Sequence, residues 1–257
     1  MKINQERLRQ WVNLLAILAA FATNIWANIA PLNGLTLGEI SSTFFSDVLI
    51  IPADYAFAIW GIIYLGLISL GIYQVLPSQI NNPRLKQMGY YLTISSFCQI
   101  IWVFVFQSQW FALSVLAMLG ILTPLIFLYL RLGINLTKLP SLQKWLINIP
   151  ISLYFAWISV ATIVNIASAL EIANWSGWGI SSPMWTVIMM VTAMIIATIL
   201  IWQRRDLIFG SVFVWALVAI AIRQKELPTL AIIAGLLSGI LVLMIIIRQK
   251  FKPIHLT

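Results

Sequence analysis

The side chains best suited to chemistry in this chain are aromatic rings and neutral amides, and they recur at helical spacing. Pro150, Tyr154, Trp157, Ala161, Asn165 and Ser168 follow one another every three or four residues, which puts them on one helix face. Tyr91, Ser95, Gln99, Trp102 and Phe106 do the same, as do Trp60, Tyr64, Leu67, Gly71 and Gln74, and Asn13, Ile17, Ala20, Asn24 and Asn28. Such stripes suit non-covalent work: rings wall an apolar ligand and a few amides fix its orientation. They equally suit helix packing, because Asn, Gln and Ser bridge membrane helices and small residues let backbones approach. Covalent chemistry has little to work with. The single histidine, His255, lies close to the C-terminus, and the single cysteine, Cys98, lies inside an apolar run. One of each cannot build a zinc site or a Cys–His nucleophile pair. There is no Gly-rich phosphate loop. Neither an enzyme nor a metal centre is expected.

The elements that carry the stripes are membrane helices. Of 257 residues, 61% are hydrophobic and 9% charged, with mean hydropathy +0.98; a soluble domain would be about one-quarter charged. Eight apolar runs, at roughly 10–30, 55–76, 88–107, 110–130, 145–170, 184–202, 207–222 and 229–248, read as helices crossing a ~30 Å hydrocarbon core. They do not alternate apolar with polar, as barrel strands would. The first run continues to Ile29 and is read as a retained span, not a cleaved leader. Asp206 and Arg223 confine the seventh, which either spans with Arg205 and Arg223 snorkelling or is re-entrant. Lipid offers amides no partners, so the stripes should face the bundle.

Charge sets the expected orientation. With the N-terminus inside, Arg223 and Lys225 are the only two of fifteen basic residues in outer segments, as the positive-inside rule requires. The acids Glu39, Asp47, Asp54, Glu171 and Glu226 fall outside. Both termini are therefore expected in the cytoplasm, in a plasma (inner) membrane. The net charge of +8 is an orientation signal and a grip on anionic lipid. The bases are scattered over the inner segments, so no nucleic-acid partner is expected. No Asp, Glu, Lys or Arg sits at mid-span, which argues against a pump or ion-coupled carrier. Asp54 comes nearest, either as a carboxylate at a helix N-terminus or at a pocket mouth. Under this orientation Asn24, Trp60, Gln99, Trp102 and Asn165 share the outer half of the membrane and Trp157 lies near the middle. That shared depth favours a pocket over packing alone.

Among twelve tryptophans, Trp11, Trp110, Trp145, Trp175, Trp178, Trp185 and Trp202 lie near span ends and read as interfacial belts. Trp215 has no evident role. The loop from Pro31 to about Asp54 holds a stretch, Glu39 to Leu49, that fits a short amphipathic helix on the bundle.

The stripes also resemble the tryptophan-rich sensory protein family, also called the translocator protein or peripheral benzodiazepine receptor family. Its second-helix motif is matched by Pro52, Phe57, Trp60 and Tyr64, and its third-helix motif loosely by Gln99-Ile-Ile-Trp102 with Phe104 and Phe106. The fifth-helix motif is matched best, as Tyr154-Phe-Ala-Trp157-Ile-Ser-Val-Ala161-Thr162-Ile-Val-Asn165. Gln99 stands where the family usually has Asn, and Pro150 lies a turn earlier than the family's Pro. Loop 31–54 lacks the Trp of bacterial members, so porphyrin-degrading chemistry attributed to those residues is not carried over.

The resemblance covers about residues 11–170. It implies an all-α integral membrane protein with a five-helix bundle over 1–175, and a pocket under the loop between the first two helices. About three further membrane helices and a basic cytoplasmic tail occupy 176–257, outside the usual five-helix pattern. They either pack against the core or mediate homo-oligomer assembly through Gly235-x-x-x-Gly239, a close-approach motif. The family binds porphyrins and other hydrophobic ligands and has regulatory and stress roles. The implied function is a non-enzymatic sensory or binding protein for a planar hydrophobic ligand such as a tetrapyrrole, without a permanent cofactor. A transporter or permease for a hydrophobic small molecule is the alternative. The expected ligand-binding residues are Asn24, Trp60, Tyr64, Gln99, Trp102, Trp157, Ala161 and Asn165.

Overall fold

A computed structural model describes residues 2–250, all of whose regular secondary structure is helical. His255 and Lys252, at the end of the basic tail, lie outside the described residues. Six helices are long and apolar enough to cross a membrane: Gln5–Ile29, Asp54–Val75, Phe111–Arg131, Ser141–Ile172, Ser182–Arg204 and Pro228–Lys250. Two further apolar helices, Tyr91–Gln107 and Leu207–Arg223, have 17 residues each, or about 25 Å at 1.5 Å per residue. They are the third and seventh expected runs. The chain is an all-α integral membrane protein.

It divides into two compact units. One holds the chain up to Val48 together with Phe57–Trp175; the other holds Leu49–Ala56 together with the chain from Ser176 onward.

The first unit contains α1 (Lys2–Ile29), α2 (Leu37–Phe44), α3 (Ile59–Val75), α4 (Pro83–Gln87), α5 (Tyr91–Gln107), α6 (Phe111–Arg131), α7 (Ser141–Gln143) and α8 (Ile149–Ile172). One π-helical turn, Lys144–Asn148, joins α7 to α8. The five long helices close a ring: α1 packs on α3 and α5, α5 on α6, α6 on α8, and α8 back on α3. Small residues permit the closest approaches. A Cβ on Gly71 of α3 would lie 2.7 Å from Leu14 Cδ1 of α1, and one on Gly120 of α6 would lie 2.9 Å from Cys98 Sγ of α5. Cys98 is thus a packing residue at the α5–α6 seam. Ile17, Ile63, Leu67, Leu125, Ile151 and Trp157 are buried inside the ring, while Ile62, Leu65, Ile72 and Leu116 are exposed on its outside. Apolar side chains on the outer face as well as in the interior are what a bundle in lipid presents.

One end of the ring carries α2. Thr36 Oγ1 accepts from the Glu39 N–H at 3.2 Å, and Glu39 Oε2 accepts from the Thr36 N–H at 2.7 Å, a reciprocal capping box. Ile40, Phe45 and Val48 are buried. The Phe45 ring meets Phe111 edge-on with centroids 4.8 Å apart and lies 6.0 Å from Phe106. The amphipathic helix expected in this loop is α2.

In the second unit α9 (Ser182–Arg204), α10 (Leu207–Arg223) and α11 (Pro228–Lys250) pack on one another. α10 is one continuous helix of 17 residues. Asp206, fully buried, caps its start by accepting from the Phe209 N–H at 3.0 Å. Trp215, without a role in sequence, has one here: its indole N–H donates to the Ala56 carbonyl at 3.0 Å and Tyr55 meets its ring edge-on. Ala53 N–H donates to Ala219 O at 3.1 Å, and Gln224 Nε2 to Leu49 O at 2.7 Å. Segment 49–56 is thereby held along α10. Asp54 lies 3.5 Å from Arg223 but is 86% exposed, so water screens the pair. A Cβ on Gly235 or Gly239 would meet no atom within 4 Å among the described residues, so that motif makes no close approach within the chain. Of the expected belt, Trp110, Trp145, Trp178 and Trp202 are exposed near helix ends and Trp11 is exposed within α1, whereas Trp175 and Trp185 are half-buried.

Candidate functional site

Three polar layers cross the first unit between the ends of its ring. The layer farthest from α2 ties α1 to the loop before α5. Arg9 Nη1 donates to Leu85 O at 2.6 Å, Asn13 Nδ2 to Gly89 O at 2.9 Å, and Thr93 Oγ1 to Asn13 Oδ1 at 2.6 Å. Two of these contacts reach backbone carbonyls and the third joins two side chains, which leaves Asn13 a brace.

The middle layer joins α3, α5 and α8. Tyr154 donates its hydroxyl to Gln99 Oε1 at 2.6 Å, and Gln99 Nε2 donates to the Tyr64 hydroxyl. Tyr64 in turn donates to Ala20 O of α1 at 3.3 Å. Tyr64, Gln99 and Tyr154 are all buried. The half-buried Trp60, one helical turn before Tyr64, stacks on its ring at 5.5 Å and 28°, with Tyr154 6.2 Å away. Phe21 closes on the Tyr64 ring at 4.8 Å.

The layer nearest α2 joins α5, α6 and α8. Trp102 Nε1 donates to Asn165 Oδ1 at 2.7 Å, Asn165 Nδ2 donates to Ser114 Oγ at 2.8 Å, and Ser114 donates to Phe111 O at 2.7 Å. Trp102 stacks on Phe106 at 4.9 Å and 24°. Trp157 projects from α8 between the two upper layers in sequence register, 2% exposed, with Phe57 edge-on at 5.9 Å. Its indole N–H finds no hydrogen-bond acceptor among the described residues. Ala161, one turn further along α8, and Asn24 on α1 are both half-buried. The Asn24 carbonyl accepts from Asn28 Nδ2 at 2.8 Å.

Of the eight residues expected at the site, the structure joins Trp60, Tyr64 and Gln99 in one cluster and Trp102 and Asn165 in another. Trp157 is buried beside Phe57. Neither a ring contact nor a side-chain hydrogen bond ties Asn24 or Ala161 to these clusters. Sequence reasoning passed over Phe57, Ser114 and Tyr154 as site residues. Tyr154 sat on the expected face of α8. Phe57 lay in the motif leading to Trp60. Ser114 belongs to a helix without a stripe, and no spacing signalled it. The interior offers stacking and directional hydrogen bonds. No group of three His, Cys, Asp or Glu able to hold a metal occurs among the described residues.

The family model described as TSPO-like protein matches residues 10–247. No curated protein and no solved structure gives a match. The matched range runs past residue 170, where the motif resemblance ends, and takes in α9, α10 and most of α11. The three C-terminal helices, expected outside the family's pattern, fall inside it. With the helical membrane architecture and a match over nearly the whole chain, this protein belongs to the TSPO-like protein family.

Proposed function

We propose that the chain is a non-enzymatic sensory or binding protein whose first unit takes up a planar hydrophobic ligand of the tetrapyrrole type. Trp60 and Tyr64 form one wall, Trp102 and Phe106 another, and Trp157 presents a hydrogen-bond donor to an acceptor on the ligand. The observation that carries this reading is the Trp157 indole N–H, buried and without a partner among the described residues. Buried donors are paired in the great majority of cases, and an unpaired one calls for an explanation. The amides around it are engaged: Gln99 with Tyr64 and Tyr154, and Asn165 with Trp102 and Ser114. In this proposal Gln99 and Asn165 position the rings, Asn24 adds an amide toward the α2 end, and Ala161 matters by being small. A larger side chain there would fill the space a flat ligand needs.

The test is a titration of purified protein with protoporphyrin, read by porphyrin absorbance, alongside a flux assay in proteoliposomes. Saturable binding without protein-dependent flux supports the proposal. Protein-dependent flux of the porphyrin would establish the transporter reading instead, and absence of saturable binding would remove the tetrapyrrole from consideration.

A further inference from the structure

At the end of the first unit opposite α2, the loop between α3 and α5 forms an open cleft of about 570 Å³. Ser78, Gln79, Asn82, Arg84, Gln87 and Gln143 are among its walls, and no carboxylate lines it. Arg84 is the one charged lining residue. Its Nη2 donates to the neutral Asn148 Oδ1 at 2.7 Å. Its Nε is fully buried and has no acceptor among the described residues. Desolvation pulls the guanidinium below the usual arginine range, with no carboxylate among the lining residues to offset the effect. Glu6 on α1 is taken by Arg9 at 2.7 Å. A partly desolvated charge without a counter-ion is costly unless an anion completes it. Arg84 therefore has a charge without a carboxylate partner among the described residues, an unpaired N–H, and a surround of neutral side chains able to donate.

The cleft's position selects among anions. Gln143 is flanked by Leu142 and, two residues on, by Trp145, which is 66% exposed. Tyr90, just before α5, is exposed as well. Exposed aromatic residues at helix ends mark headgroup depth. Lys86, Lys138 and Lys144, all exposed, surround the same loops. A planar guanidinium grips phosphate oxygens through paired N–H groups, which a lysine cannot reproduce.

We propose that this cleft is a binding site for the phosphate of an anionic phospholipid headgroup, with Arg84 as its anchor. It is separate from the aromatic layers and does not rest on the ligand proposed for them.

The experiment uses the full chain in detergent, with thermal midpoint and native mass spectrometry as readouts. The probes are dioctanoyl phosphatidylglycerol, dioctanoyl phosphatidylcholine and inorganic phosphate. Phosphatidylglycerol is expected to raise the midpoint and be retained in preference to phosphatidylcholine. Arg84→Gln is expected to weaken phosphatidylglycerol binding roughly 5–10-fold and remove the preference. Arg131→Gln, an exposed basic residue at the end of α6 outside the cleft, should keep it. Arg84→Lys retains the charge and loses the fork, so it guards against a folding defect in the Gln variant; it is expected to lose most of the preference. A preference unchanged in Arg84→Lys, or lost equally in Arg131→Gln, would mean diffuse attraction and overturn the site. Inorganic phosphate matching the lipid's effect at equal concentration would overturn the headgroup assignment in favour of a soluble phosphate.

Discussion

Tyr154 donates its hydroxyl to Gln99 at 2.6 Å inside the ring of five helices, and through that bond α8 is tied to α5. Because Gln99 also donates to Tyr64, one amide holds three helices in register. The sequence alone favoured Gln99 as a ligand contact; with both ends of the amide engaged, bracing is the role its geometry supports. Gln99→Leu strands the Tyr154 hydroxyl and weakens the Tyr64 bond network. The expected cost is about 1–3 kcal/mol of stability, the usual penalty for a stranded buried group, with ligand affinity of the folded fraction retained. Gln99→Asn should fall between the two, because the shorter amide reaches one tyrosine at a time. Thermal unfolding and porphyrin titration on the same preparations check this. An intact midpoint with lost affinity would return Gln99 to the ligand.

Trp215 fixes segment 49–56 within the second unit through its bond to Ala56 O. Trp215→Phe keeps the ring beside Tyr55 and removes the donor. Hydrogen exchange at the Ala53 and Ala56 amides should accelerate roughly fivefold, the equivalent of ~1 kcal/mol, while amides in the middle of α10 stay unchanged. Unchanged exchange at Ala53 would show that the other contacts suffice.

The α2 cap is pH-sensitive in a definite direction. The Thr36 backbone N–H, and after it the Thr36 hydroxyl, hold the Glu39 carboxyl below the usual carboxylate range. A group with a lowered folded value contributes stability that is present above the unfolded pKa and is lost as pH falls through the folded one. Protection factors of the α2 amides, corrected for intrinsic exchange, should therefore drop below about pH 4, the ordinary glutamate range. Glu39→Gln should flatten that dependence. A wild-type profile as flat as the variant's would contradict the capping argument.

Orientation follows from charge: both termini are proposed to face the cytoplasm. A reporter active only in the cytoplasm, fused after Thr257, should be active. A silent reporter on a well-expressed fusion would require an odd number of crossings.

Much of the fold was legible because membrane helices announce themselves by length and apolarity, and because period 3.6 marks a face. The stripes on α3, α5 and α8 turn inward, as does that on α1 from Asn13 to Ala20, whereas Asn28 is exposed; Trp102 and Asn165 meet as their shared depth suggested. What period cannot convey is the partner across the ring. Whether Gln99 reaches a tyrosine or a ligand depends on helix rotation and rotamer, which spacing leaves open. Ser114 was invisible for the same reason, since it completes the Asn165 network from a helix with no stripe. Trp215 was invisible because its acceptor is a backbone carbonyl 159 residues away, and a carbonyl leaves no mark on residue type. Asp206 looked like a break in an apolar run. It is the buried cap that starts α10, and it explains why a charge sits where a re-entrant turn was an alternative.

The central claim is that the Trp157 indole N–H serves a ligand, and Trp157→Phe tests it most directly. The substitution keeps an aromatic ring against Phe57 and removes a buried donor that has no partner among the described residues. Losing the donor removes a desolvation penalty while the smaller ring leaves a cavity, so thermal unfolding is measured on the same preparation and affinity is compared for the folded fraction. Protoporphyrin affinity, measured by absorbance titration of the folded variant, is predicted to fall about 3–10-fold, the worth of one hydrogen bond of ~1 kcal/mol. An affinity equal to wild type in the folded variant would contradict the account.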